Sequence, residues 1–349
     1  MNSFGRIFRV HIYGESHGEG LGILIDGCPA GLSLELKDFL GDLARRKGGK
    51  KGTTARVEDD VPQMKSGIFH RRTTGAPLLV EFKNTDIRTE DYEQLKDIPR
   101  PGHADFCAFR KFEGYHDWRG GGHFSGRLTA GLVVAGVVAK KIIAPATVEA
   151  KVIEAGGSRD IQRAVEKVLK DNDSIGAIIE CRVRGLSVGL GEPFFDSVES
   201  MIAHIVFSIP GIKGIEFGSG FASARMRGSQ HNDLIVDTEG KTKTNHAGGI
   251  NGGLTNGNPL LFRVAVKPTP SISRIQRTIN LKTGLREDLE IRGRHDICFA
   301  LRLPVVLEAA AAVVLADFLL LERISGRVLK SKNRDSGLKE KGGKDDFPG

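Results

Sequence analysis

Two stretches of this chain are apolar around nearly their whole circumference. Residues 125–143 read Ser-Gly-Arg-Leu-Thr-Ala-Gly-Leu-Val-Val-Ala-Gly-Val-Val-Ala-Lys-Lys-Ile-Ile. Residues 305–322 read Val-Val-Leu-Glu-Ala-Ala-Ala-Ala-Val-Val-Leu-Ala-Asp-Phe-Leu-Leu-Leu-Glu. A helix without a polar face has to be buried on most sides. Both stretches are small-residue helices, polar only near their ends, and they are expected to pack together in one central layer. The second is not read as a membrane span, because Glu308 and Asp317 fall within it.

Strands and helices are expected to alternate around that layer. Residues 4–13 and 20–26 read as strands, and 34–47 as a helix with Leu36, Phe39, Leu40 and Leu43 on one face. Residues 66–70 and 77–82 read as a hairpin, and 89–95 as a short helix capped by Thr89. Further on, 148–154, 176–183, 214–221 and 260–266 are expected strands, with helices at 160–170 and 197–207. No linker divides the chain, so 1–329 reads as one intertwined α/β domain. The tail 330–349 is rich in Lys, Asp, Gly and Ser and is expected to be disordered.

Five glycine-rich segments carry histidine or arginine: 14–18 (Gly-Glu-Ser-His-Gly), 100–105 (Arg-Pro-Gly-His-Ala-Asp), 119–127 (Arg-Gly-Gly-Gly-His-Phe-Ser-Gly-Arg), 245–253 (Asn-His-Ala-Gly-Gly-Ile-Asn-Gly-Gly) and 293–296 (Gly-Arg-His-Asp). Glycine lets a backbone approach a ligand, histidine titrates near neutrality and arginine grips phosphate or carboxylate. His17 and His103 are candidate general acids, each also readable as a structural histidine; Asp105 could orient His103 if the turn permits. Arg119, His123, Ser125 and Arg127 flank the start of the first apolar helix, where free N–H groups suit an anion. The loop 245–258 could hold a planar ring or a phosphate, or be only a connection.

The net charge is +8, and Arg45, Arg46, Lys47, Lys50, Lys51 and Arg56 form a basic stretch without an acid. It reads as a solvated loop or as a funnel for an anionic ligand. One Trp and three Tyr argue against a stacking surface for nucleic acid. Cys28, Cys107, Cys181 and Cys298 form no Cys-x-x-Cys pair. A reduced, cytoplasmic enzyme without a metal is the expectation. Rossmann, P-loop, zinc-protease and nucleophile-elbow signatures are all missing.

In their order along residues 4–325, these segments resemble chorismate synthase, with Arg227-Gly-Ser-Gln230 and Lys267-Pro-Thr completing the series. The resemblance implies a β-α-β sandwich, with long apolar helices between two antiparallel sheets, and a homotetramer. It implies a carbon–oxygen lyase that converts 5-enolpyruvylshikimate 3-phosphate to chorismate by anti-1,4-elimination of phosphate. Reduced FMN is the implied cofactor, with NADPH or an external flavin reductase as the electron source.

Residue by residue, the resemblance gives His17, His103, Asp296 and Ser16 the catalytic roles. It places His123, Phe124, Ser125, Pro210, Gly211, Gly252, Lys267, Pro268, Thr269, Pro270, Ser271 and Arg294 at FMN. Arg46 and Lys51 fall at a nicotinamide- or flavin-phosphate contact. Arg45, Arg119, Arg127 and Arg302 are the candidates for the substrate's anions. The chain departs from the family pattern in three places beside the flavin: His123-Phe124-Ser125 stands for Arg-Ser-Ser, Pro210-Gly211 for Asn-Ala, and Lys51 for an arginine. Two other readings stand beside the lyase: a non-catalytic flavin- or anion-binding relative, and a basic nucleic-acid-binding protein.

Overall fold

The computed structural model describes residues 2–325, apart from 57, 88 and 292–294. The expected tail at 330–349 and Arg294 therefore lie outside the described residues.

The two apolar stretches form the helices Thr129–Ile143 and Pro304–Ser325, and these lie against each other. Ala309 sits so close to Gly136 that a Cβ there would overlap it, which explains the small residues at the crossing. Both helices are buried along almost their full length. Each fully buried Val or Leu contributes about 1.5–3 kcal/mol of transfer free energy, so this layer dominates the core.

Each outer face of the helical layer carries an antiparallel sheet. The first runs in the order Ser3–Phe4, Arg9–Gly14, Gly20–Asp26, Leu78–Lys83, Gln63–Ser66 and packs on Thr129–Ile143. The second runs Ile212–Phe217, Leu260–Val266, Ala177–Arg184, Thr147–Ala155 and packs on Pro304–Ser325. Alternation explains their inner faces: Ile23 and Ile25 in the first sheet, like Ile179, Cys181 and Val183 in the second, are fully buried. This is the expected sandwich of helices between two antiparallel sheets.

The acids in the second apolar helix are both buried and both satisfied. Glu308 accepts from Arg45 Nη2 at 2.6 Å, Lys140 Nζ at 2.8 Å and the Ala150 amide at 3.0 Å. Asp317 accepts from the amides of Arg6, Ile7 and Phe8. Leaving such a buried carboxylate short of a hydrogen-bond partner costs about 1–3 kcal/mol. These bonds tie the first sheet and the Leu36–Arg46 helix to the central layer.

Local readings differ from the structure in three places. The 66–70/77–82 hairpin is instead the pair Gln63–Ser66 with Leu78–Lys83, enclosing a smaller hairpin of Ile68–Phe69 and Arg72–Thr73. The glycine turn at 100–105 leads into a short helix, Asp105–Lys111, that glycine and proline had obscured. A hairpin of Gln276–Ile279 with Arg286–Leu289 follows the Lys-Pro-Thr turn.

Candidate active site

A cavity of about 650 Å³ opens beside the N-terminal turn of Thr129–Ile143. That volume lies within the range of small-molecule sites. Eight Arg and Lys side chains line it against three carboxylates, Glu58, Asp60 and Asp296. Its ligand is therefore expected to be anionic. Phe124, Phe207, Pro210 and Phe299 add apolar wall on which a planar ring can lie.

Three consecutive glycines organise this site. Gly120, Gly121 and Gly122 all have positive φ (57°, 80° and 51°). A Cβ on Gly120 would overlap the His17 imidazole, while one on Gly121 would touch His103. The triple glycine thus lies against two imidazoles that are 86 residues apart in sequence. No side-chain-bearing residue fits at Gly120.

His17 stands one layer behind the wall. It is 5% exposed, meets the ring of Tyr92 edge-on at 5.1 Å, and its buried Nδ1 has no hydrogen-bond partner among the described residues. Burial first, and then the nearby Arg56, push its pKa down to about 4. Ser16, also fully buried, accepts from Arg56 Nη1 at 3.0 Å. His17 and Ser16 do not themselves line the cavity; Arg56, Tyr92 and Gly120, which touch them, do.

His103 is on the wall. Its Nδ1 lies 2.5 Å from Asp105 Oδ1, and Asp105 is gripped by Arg100. Burial lowers the His103 pKa, with Arg100 and Lys267 acting the same way and Asp105 opposing them.

Opposite, Asp60 joins two buried arginines. Arg46 Nη2 donates to it at 2.5 Å, and Arg127 Nη1 donates to its other oxygen. Burial would raise the Asp60 pKa, but the two guanidinium groups outweigh that and hold it low. Arg46 Nε, Arg46 Nη1, Arg127 Nη2 and Thr269 Oγ1 are buried without a partner among the described residues. Orphaned donors of this kind each cost about 1–3 kcal/mol unless a ligand engages them. Asp296 accepts from the Thr54 amide at 2.9 Å and from Arg302 Nη1 at 3.0 Å. Arg302 also donates from Nε to the Arg46 carbonyl, which fixes both arginines on one wall.

A family model described as chorismate synthase matches residues 8–320. This chain belongs to the chorismate synthase family. A curated chorismate synthase of Chitinophaga pinensis is 60% identical over 332 residues, covering 95% of this chain and 100% of that protein. That of Dehalococcoides mccartyi is 43% identical over 361 residues, covering 94% and 99%. A crystal structure of chorismate synthase superposes with a TM-score of 0.72 at 26% identity, covering 91% of this chain and 93% of that one. The fold and the order of the glycine segments thus belong together.

Of the residues expected at a chorismate synthase site, the cavity gathers His103, Asp296, Arg46, Arg127, Arg302, His123, Phe124, Ser125, Pro210, Gly211 and Lys267 through Ser271. Five other expected positions lie outside the lining of this cavity. Arg45 is turned onto Glu308 and Asp42 by the helix that points Arg46 inward. Lys51 is exposed and paired with Glu166 at 2.6 Å. Arg119 is paired with Asp117 through two bonds, at 2.8 and 2.9 Å. Gly252 belongs to the hairpin of Ile250–Asn251 with Leu254–Thr255, away from the cavity. The 245–258 loop is closed on itself, with the Asn245 side chain bonded to Gly249 N and Pro259 O, so it borders a separate hollow.

His123 lines the cavity with both ring nitrogens engaged by the protein, within bonding distance of Gly14 O (2.9 Å) and Asn2 Oδ1 (3.0 Å). Sequence reasoning missed Glu58 and Asp60, and it named Arg56 and Arg100 only as members of their segments. The pair Glu58 and Asp60, two residues apart after a basic stretch, was the signal available for them.

Proposed function

We propose that this cavity binds 5-enolpyruvylshikimate 3-phosphate over reduced FMN and releases phosphate by anti-1,4-elimination, giving chorismate. The observation that carries the reading is the set of buried guanidinium donors on Arg46 and Arg127 without a partner among the described residues, in the cavity that His103 also lines. A ligand with two carboxylates and a phosphate matches that excess of donors. The flavin also fits the residues present: Phe124, Pro210 and Gly211 offer a flat wall, and the Lys267–Ser271 turn offers a cation and hydroxyls. Reduced FMN supplies an electron-rich ring that can lend density to the departing group without net oxidation.

The chain's own groups then have distinct tasks. Arg46 and Arg127 hold anionic oxygens, and their attachment to Asp60 keeps them in place. Such fixed charges act where negative charge develops on the leaving group. His103 gives a proton to the departing phosphate. Asp296, held by Thr54 and Arg302, is the base on the cavity wall for the ring proton lost at the far end of the diene. Both imidazoles are neutral at pH 7 in the free chain, since burial and arginines lower them. An anion entering the cavity raises their proton affinity, so charging of the imidazoles is coupled to substrate arrival. His17, behind Gly120, sets the charge on the flavin side of the wall.

What supports a homotetramer is exposed apolar surface: Phe194, Phe195 and Phe221 are each over 80% exposed. Four free cysteines, three of them buried, suit a cytoplasmic setting. NADPH, directly or through an external flavin reductase, is the assigned reductant. A non-catalytic relative is not favoured, given 60% identity across the whole of a curated chorismate synthase. The test is an anaerobic assay with dithionite-reduced FMN and the enolpyruvyl substrate. Equimolar phosphate and chorismate are expected, with none from oxidised FMN. No phosphate under reducing conditions ends this reading.

A further inference from the structure

The two ring nitrogens of His103 have different surroundings. Nδ1 is 2.5 Å from Asp105 Oδ1, while Nε2 has no protein partner among the described residues. Asp105 accepts from Arg100 three times, at the backbone amide (3.0 Å), Nε (2.7 Å) and Nη2 (2.8 Å). Burial would raise the Asp105 pKa, but the bonds from Arg100 and His103 outweigh it and hold this carboxyl far below its ordinary range. Asp105 is therefore a pure acceptor, and Nδ1 must carry the proton between them. Arg100 Nη2 also lies 3.0 Å from Nδ1, but two donors do not bond, and both serve the same carboxylate oxygen. Arg100 is itself anchored by donating from Nη1 to Ser271 Oγ at 3.1 Å.

We infer that Asp105 is a positioning residue for the elimination: it fixes His103 as the Nδ1–H tautomer, leaves Nε2 as the nitrogen offered to the ligand, and supports the ring's positive charge once Nε2 is protonated. The inference rests on the function proposed above. The charged groups facing His103 are Asp105, Arg100 and Lys267. Arg100 and Lys267 both disfavour the imidazolium, so Asp105 alone among them favours it. The proton cycle balances: Nε2 takes a proton from solvent, gives it to the phosphate oxygen as the C–O bond breaks, and returns to neutral. Asp105 stays ionised throughout and touches no reacting atom.

The experiment pairs kinetics with a spectroscopic readout on the full chain. In wild type, ¹⁵N shifts are expected to show His103 as Nδ1–H; in Asp105→Asn, the Nε2–H form should gain. With reduced FMN, Asp105→Asn should lower kcat about 100-fold or more, with KM and FMN affinity within about threefold. The loss of kcat at high pH, where His103 gives up its proton, should move to lower pH by about one unit or more. Asp105→Glu should restore part of the rate. A wild-type Nε2–H tautomer, an unmoved pH limb, or a kcat within about threefold of wild type overturns the inference. If wild type releases no phosphate at all, the proposed reaction fails instead. The wild-type ¹⁵N spectrum still decides the tautomer and needs no variant to fold.

Discussion

His17 and His103 both lie against one triple-glycine segment, yet their surroundings differ in kind. His103 has a carboxylate on Nδ1 and stands on the cavity wall. His17 has an aromatic edge, a nearby arginine and an orphaned Nδ1, and stands behind the wall. Burial lowers both pKa values, but only one ring has a hydrogen-bonded counter-charge to help it recover a proton. An imidazole with a carboxylate partner is built to cycle protons during turnover. One held neutral mainly by burial, with arginines and carboxylates both near it, is built to respond to the charge of what binds.

The largest effect should separate these roles. His103→Ala is expected to lower kcat about 1,000-fold while FMN affinity changes less than about threefold. Stopped-flow chorismate absorbance and FMN titration check it; an unchanged rate removes His103 from proton transfer. Next comes the wall itself. Gly120→Ala places a methyl on His17 at a φ of 57°, so it should cost about 1–3 kcal/mol in stability and displace that ring. Urea unfolding reads the cost, and a midpoint equal to wild type would mean that the wall yields freely.

A third, smaller effect depends on pH. The His17 pKa is about 4 folded against 6.5 unfolded, so the unfolded chain binds more protons between those values. Stability should therefore fall as pH drops through that window, by about 2 kcal/mol between pH 7 and 5. His17→Gln should lack this component. Parallel pH curves for the two proteins would show that His17 is not held neutral. Smallest of all, Lys51→Ala should change stability by less than about 0.5 kcal/mol and leave FMN affinity unaltered, because its partner Glu166 is on the surface. A tenfold loss of FMN affinity would return Lys51 to the site.

The legible part of this molecule was the part set by periodicity. The two apolar helices, the strands around them and the helices near 160–170 and 197–207 follow from local pattern. The site was legible as a set of segments but not as a set of directions. Arg45 and Arg46 are neighbours, yet a helix turns about 100° per residue, so one reaches Glu308 and the other the cavity. The helical period puts Arg46 on the face of Phe39 and Leu43, but the string does not say that this face borders the cavity. The same holds for Arg119, whose partner Asp117 lies just upstream. Asp60 escaped notice because its meaning, joining Arg46 to Arg127, exists only once three distant segments meet.

The central claim is that one polyanion is held between the Arg46–Asp60–Arg127 group and His103. A crystal structure of the chain with FMN and the enolpyruvyl substrate tests it most directly. The expected result is a substrate phosphate or carboxylate within about 3.2 Å of Arg46 or Arg127, with His103 Nε2 in hydrogen-bond reach of the phosphate. Substrate bound elsewhere, with those arginines unchanged and His103 out of reach, would contradict it.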